Sequence, residues 1–150
     1  MVKVIRRAAG IGGAGALVLV ACAAEPPTAP DAVADENQPP LMSGGVTGRF
    51  VGAGGHRGSG AVTLAVEGTR ARLELGGDFV VDGVPGPYLY LNTTNNAKTG
   101  TPLRVAALQR NSGSQVDTFQ IPAGVRYTWV LVWCDPFNVP VAEAQIPPTP

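Results

Sequence analysis

Two sulfurs and one imidazole, on Cys22, Cys134 and His56, are the groups in this 150-residue chain best suited to redox or ligand chemistry. A thiol serves as nucleophile, electron carrier or soft ligand according to its protonation and its access to solvent. Cys134 ends the run Tyr127-Thr128-Trp129-Val130-Leu131-Val132-Trp133-Cys134, which Asp135-Pro136 stops. A run this rich in β-branched and aromatic residues, bounded by turn residues, reads as a strand buried on both faces. Period 2 puts Tyr127, Trp129, Leu131 and Trp133 on one face and Thr128, Val130, Val132 and Cys134 on the other. Trp129 and Trp133 are expected to fill the core. Cys134, the last residue of the run, is expected at the rim of the sheet with access to solvent. The competing reading is an inert core cysteine, since a free Cys also packs as a small hydrophobe.

Cys134 and His56 are the two strong candidate ligands for a haem iron in the folded part. One Cys and one His fall short of a tetrahedral zinc site, and no metal site is assigned. His56 lies in the glycine-rich stretch Gly52-Ala53-Gly54-Gly55-His56-Arg57-Gly58, where an ordinary solvated imidazole is the simpler reading. Hydrolytic chemistry finds little support. Gly58-Ser59-Gly60 has the wrong spacing for a nucleophile elbow, and a Ser-His-acid set could draw only on His56. No catalytic residue is assigned, and the chain does not read as an enzyme. Asp78 and Asp82 read as turn carboxylates rather than an acid–base pair. Asn92-Thr93-Thr94 fits a glycosylation acceptor in form but reads as a polar loop. Tyr88 and Tyr90 share one face of a strand and are expected in the core.

The elements that must hold these residues are short strands separated by turns. Twenty Gly and fourteen Pro, with only 15% charged residues, favour an all-β domain with flexible additions. Strands are expected over residues 46–51, 61–66, 69–75, 79–81, 88–91, 103–109, 116–121, 127–134 and 139–146. The turn at Glu67-Gly68 should close one hairpin, with Val62, Leu64, Val66, Ala71, Leu73 and Leu75 inward. A second hairpin is expected across Asn111-Ser112-Gly113-Ser114. About eight or nine antiparallel strands at this spacing predict a two-sheet β-sandwich over residues 46–150. Pro122 and Pro140 should mark edge strands.

Residues 1–21 have a basic start at Lys3, Arg6 and Arg7, followed by an uncharged Ala-, Gly- and Val-rich stretch. That is the layout of a secretory signal peptide. Gly10-Ile11-Gly12-Gly13-Ala14-Gly15 imitates a dinucleotide-binding loop, but the chain then runs into Cys22, Pro26 and Pro27 without a second strand and acid. Leu19-Val20-Ala21-Cys22 resembles the lipobox of bacterial lipoproteins, in which the Cys receives diacylglycerol. The resemblance implies a lipid anchor on Cys22 and a place on the extracytoplasmic face of a bacterial cell membrane. Residues 22–45, rich in Pro, Ala and acids, are expected to form a disordered tether. From residue 46 onward, eight Lys or Arg face seven Asp or Glu, and no basic patch suits nucleic acid.

The folded part carries Gly58-Ser59-Gly60-Ala61-Val62-Thr63-Leu64, then Leu73-Glu74-Leu75 with Asp78-Phe79, then Gly86-Pro87-Tyr88-Leu89-Tyr90-Leu91. Asn111, Gly113 and Gln115 follow at alternate positions, then Ile121-Pro122, and Val132-Trp133-Cys134 with Phe137 and Val139. Over about residues 46–147 this resembles the electron-transfer DM-thirteen domain, the small extracytoplasmic module that accompanies DOMON domains in Skeletor-type proteins. The family's Gly-Pro-Asp-Leu is shortened here to Gly86-Pro87-Tyr88, losing the acid, and Ala142-Glu143-Ala144 stands where the family has a Gly-Ala ending. The resemblance implies a β-sandwich whose characteristic Cys, here Cys134, does redox work as a bare thiol or as a ligand to a prosthetic group. The sequence does not identify that group; haem is the candidate. Two functions follow. One is a membrane-tethered electron-transfer module centred on Cys134, with an envelope redox partner. The other is a cofactor-free binding or structural module that presents residues 52–58 and 92–100 to an envelope partner.

Overall fold

The computed structural model describes residues 44–150, so Cys22, the leader and nearly all of the tether lie outside the described residues. Eleven strands follow one another: β1 (Gly45–Arg49), β2 (Val51–Gly52), β3 (Gly58–Ser59), β4 (Ala61–Glu67), β5 (Arg70–Leu75), β6 (Val80–Val81), β7 (Pro87–Asn92), β8 (Leu103–Ala107), β9 (Gln115–Gln120), β10 (Trp129–Cys134) and β11 (Val139–Gln145). They form a four-stranded sheet in the order β1-β4-β5-β9, a five-stranded sheet in the order β2-β11-β10-β7-β8, and the small pair β3-β6. Every pairing is antiparallel. The all-β reading holds.

Alternation sets the inner faces. Val62, Leu64 and Val66 of β4 stand opposite Leu75, Leu73 and Ala71 of β5, and all six join the core or pack against it. Gly68 takes the positive φ (60°) that the tight turn between these strands requires. The other sheet contributes Leu89 and Leu91 from β7, Val130, Val132 and Cys134 from β10, and Ala142 and Ala144 from β11. The chain passes between the sheets at Phe50, 3% exposed, whose ring meets Phe79 edge-on at 5.3 Å. The first expected strand is therefore two: β1 belongs to one sheet and β2 to the other.

Four expectations need correction. Trp129 and Trp133 do not fill the inter-sheet core; Val130, Val132 and Cys134 face it, and the tryptophans share the opposite face with Leu131. Tyr88 and Tyr90 likewise lie on that outer face, in register with Trp133 and Leu131, while Leu89 and Leu91 point inward. Residues 103–121 form no hairpin: β8 pairs with β7 and β9 with β5, in different sheets. The buried Gln115 explains the crossing. Its Oε1 accepts from the backbone N–H groups of Gln109 and Arg110, and its Nε2 donates to the Arg110 carbonyl, so a side chain replaces the hairpin ladder. Nor do the prolines mark edge strands: Pro122 lies beyond the end of β9, and Pro140 is on β11, between β2 and β10, where its missing N–H is tolerated locally. β2 covers only Ala142 and Glu143, and the register shifts by one residue beside Trp133.

Candidate functional site

Cys134 closes β10, opposite Pro87 of β7 and Val139 of β11. Its side chain points inward and is 1% exposed; the expectation of a solvent-accessible rim position is not met. The reason is the turn before β7. Cys134 Sγ donates to the Pro85 carbonyl at 3.1 Å, and the Asp135 amide donates to the Gly86 carbonyl at 3.2 Å, so the turn is fastened over the thiol. Gly86 has φ 54°, and a Cβ there would lie 3.0 Å from the Pro136 ring. Pro85, Gly86 and Pro136 are exposed, so the free thiol lies directly beneath a surface turn.

The residue after the thiol organises the outer face of the sheet. Asp135 Oδ1 accepts from the Tyr90 hydroxyl at 2.8 Å, and Oδ2 accepts from Arg104 Nη2 at 2.8 Å. The Arg104 guanidinium then lies over the Tyr88 ring, 3.3 Å from its centroid, a cation–π arrangement. Burial, followed by the hydrogen bond and charge of Asp135, pushes the Tyr90 hydroxyl up to about 12. Asp135 is thus committed to Tyr90 and Arg104. Sequence reasoning missed Arg104, which lies on β8 and reaches Asp135, just past the end of β10, across the one intervening strand β7.

His56 sits elsewhere in its contacts. Its Nδ1 is 4.0 Å from Asp82 Oδ2, and the same carboxylate accepts from the Arg57 amide at 2.7 Å and from Arg57 Nε at 3.3 Å. The Arg57 amide, ahead of the Arg57 charge, holds the Asp82 carboxyl below its usual range. Asp78 plays a parallel part. It accepts from the Ala61 amide at 2.9 Å and from Arg49 Nη2 at 2.8 Å, and those bonds lower its carboxyl. Each aspartate therefore pins its own loop. The residues present do not fit a haem held by Cys134 and His56. Cys134 Sγ is packed in the core against Pro85, and two clefts among the described residues, of about 370 and 480 Å³, are lined by neither residue. Among the described residues no group of three or more His, Cys, Asp or Glu is placed to hold a metal ion.

The family model for the electron transfer DM13 domain matches residues 49–146, from the last residue of β1 to just beyond β11. The chain belongs to the electron transfer DM13 family. No curated protein and no solved structure matches the chain. The match takes in Cys134, the Pro85–Gly86 turn above it and the whole Tyr90–Asp135–Arg104 network, so all three are features of the DM13 domain proper rather than of an appended segment.

On the outer face of this DM13 domain the structure brings together the two loops singled out from sequence. Asn92, 0% exposed, organises the second of them. Its Nδ2 donates to the carbonyls of Asn96 (2.7 Å) and Thr99 (2.9 Å), and its Oδ1 accepts from the Thr93 amide. Asn92 is a buried loop staple, which closes it to glycosylation in the folded domain. Both loops border the cleft of about 480 Å³, with Gly54 on one side, Asn96 and Lys98 on the other, and Trp133, Asn138 and Glu143 between. Asn138 escaped notice in the sequence, although its place after Asp135-Pro136-Phe137 was a signal. It takes the left-handed φ of 56° that a tight turn demands and Asn tolerates.

Proposed function

We propose that this DM13 chain is an electron-transfer module held on the extracytoplasmic face of a bacterial membrane by lipid on Cys22, with Cys134 as its redox group. The observation that carries the reading is the placement of the free thiol beneath an exposed Pro85–Gly86 turn, within a family whose description is electron transfer. The basic start, apolar stretch and Leu19-Val20-Ala21-Cys22 support the anchor. Local opening of the turn, a fluctuation far smaller than unfolding, exposes the sulfur. The Cys134 thiolate then bonds to one sulfur of a partner disulfide and the other sulfur leaves as a thiolate. In this exchange the Cys134 sulfur is oxidised to the disulfide level, the leaving sulfur is reduced to a thiolate, and the Cys134 proton goes to solvent.

The test is reaction of the full chain with an aromatic disulfide under native conditions, with the modified peptide identified by mass spectrometry. Cys134 is expected to form a mixed disulfide faster than the domain unfolds. Gly86→Ala, which forces a Cβ against Pro136 at a left-handed φ, should speed the reaction by loosening the turn. Modification only in denaturant, in both proteins, would reduce Cys134 to core packing. The anchor is checked separately: Cys22→Ser should move the protein from the membrane to the soluble fraction, because loss of the acyl chains removes about 0.8 kcal/mol per buried methylene.

A further inference from the structure

Any macromolecule that exchanges with Cys134 must first cover the surface above the thiol, and that surface is apolar. Cys134 Sγ donates to the Pro85 carbonyl, Gly86 packs on the Pro136 ring, and Val139 pairs with Cys134 in the β10–β11 ladder. Pro85, Gly86, Pro136, Phe137 and Val139 are all exposed and together form a tip over the sulfur. Phe137 is 66% exposed, the most open large apolar side chain among the described residues. Its turn is braced. The Asn138 amide donates to the Asp135 carbonyl at 3.2 Å, and Asn138 Oδ1 accepts from Trp133 Nε1 at 3.1 Å. A fixed turn thus displays an aromatic ring that the core does not use. Apolar groups gathered in this way mark a contact surface, whereas single scattered ones do not.

Charge and position narrow the choice of partner. Residues 83–87 and 136–139 carry no charge, and the bordering carboxylates of Asp82 and Asp135 are paired with Arg57 and Arg104. The tip itself has no cation to hold an anionic lipid surface. It is also the end of β11 farther from where the chain enters the domain. Gly48 of β1 packs against the Gln145 carbonyl, Val51 and Gly52 pair with Glu143 and Ala142, and Gly54 lies beside Pro140. The chain therefore comes in at the Gln145 end and runs towards Val139. The seven residues of β11, at about 3.3 Å each, put roughly 20 Å between those ends. An anchor on Cys22 would hold the domain by the end away from the tip.

We infer that this tip is the docking surface for the redox partner of Cys134, a protein whose disulfide is set in an uncharged, apolar surface. The inference rests on the redox reading above. Phe137 is the anchor, since an aromatic ring brings a large contact area into an interface at little cost in side-chain entropy. A second copy of this chain seated on the tip would close the thiol to exchange.

The experiment compares two probes on the full chain carrying Cys22→Ser, in which Cys134 is the one thiol. Dipyridyl disulfide is small and neutral and needs no docking. The other probe is thioredoxin that keeps only its attacking cysteine, loaded with thionitrobenzoate. The Cys134 thiolate bonds to the thioredoxin sulfur, the coloured thionitrobenzoate thiolate leaves, and the Cys134 proton goes to solvent. Phe137→Ser should slow the thioredoxin reaction at least about tenfold and leave the dipyridyl disulfide rate within about twofold. Phe137→Leu should recover most of the lost rate. Val116→Ser, exposed on β9 outside the tip, should change neither reaction. Val139→Thr is the second tip variant should Phe137→Ser lose its fold. Equal slowing of both probes, or of neither, overturns the docking surface and leaves the redox reading standing. So does a parent chain that reacts with dipyridyl disulfide but not with thioredoxin. A folded chain inert to dipyridyl disulfide overturns the redox reading, and the docking surface falls with it. Dimers of the parent, or binding to phosphatidylcholine vesicles, that Phe137→Ser abolishes would give the tip to a second copy or to lipid and overturn the choice of partner.

Discussion

Asp135 has one oxygen for Tyr90 and the other for Arg104, and this division gives the domain an alkaline signature. The Tyr90 hydroxyl is raised from 10.0 to about 12 by burial and by Asp135, and burial also raises Tyr127, whose hydroxyl has no hydrogen-bond partner among the described residues. The unfolded chain releases these protons near pH 10, before the folded one does. Their contribution to stability is therefore complete below pH 10 and is lost as pH rises through the folded values, up to about 12 for Tyr90. Chemical unfolding across pH 9–12 should show stability falling over that window, with a shallower fall in Tyr90→Phe. An identical slope in the variant would mean that Tyr90 titrates as it does in the unfolded chain. At this scale the sequence was legible where chemistry is local. Cys134 could be placed at a strand end because Asp135-Pro136 follows it directly. Its burial could not be read, because the group that covers it, Pro85, lies 49 residues away.

The β4–β5 hairpin follows the alternation of its residues closely: Val62, Leu64 and Val66 oppose Leu75, Leu73 and Ala71, and a glycine takes the turn. Both strands and their connection lie within residues 61–75, so local pattern and turn chemistry settle the pairing. The segment 103–120 shows the opposite case. Its two strands and intervening turn residues look the same in sequence, yet β9 is claimed by β5 and β8 by β7. What separates arch from hairpin is the Gln115 side chain, 3% exposed and making three bonds to backbone of residues 109 and 110. Gln115→Ala would leave two amides and a carbonyl without those partners, at a cost of about 1–3 kcal/mol. Urea unfolding should show a lower midpoint with an unchanged slope. A midpoint equal to the parent's would show that water serves the arch as well as Gln115 does.

The two packed sheets are what alternation and closely spaced turns dictate, and the fold class was legible for that reason. Which face of β10 points between the sheets was not, because the strand is apolar on both sides and period 2 carries no sign for inside. The structure resolves it through neighbours: Val130, Val132 and Cys134 meet the small inward residues Ala142 and Ala144 of β11, which leaves the bulky tryptophans outward. Outward is not exposed here. Trp133 is 4% accessible, flanked in register by Tyr88 and Pro140 and held by Asn138, whereas Trp129 near the other end of the strand is only half-buried. The five-stranded sheet is thus covered on both faces where it meets the cleft, and Trp133 is the more deeply buried of the two tryptophans on the outer face. Trp133→Ala should cost about 3–5 kcal/mol, the usual loss for removing a buried aromatic, against a total stability of about 5–15 kcal/mol for a domain. Trp129→Ala, from a site already partly hydrated, should cost distinctly less. Equilibrium unfolding of the two variants side by side decides the matter. Equal small losses would show that the outer face contributes little to stability, and that the inter-sheet core alone holds the domain.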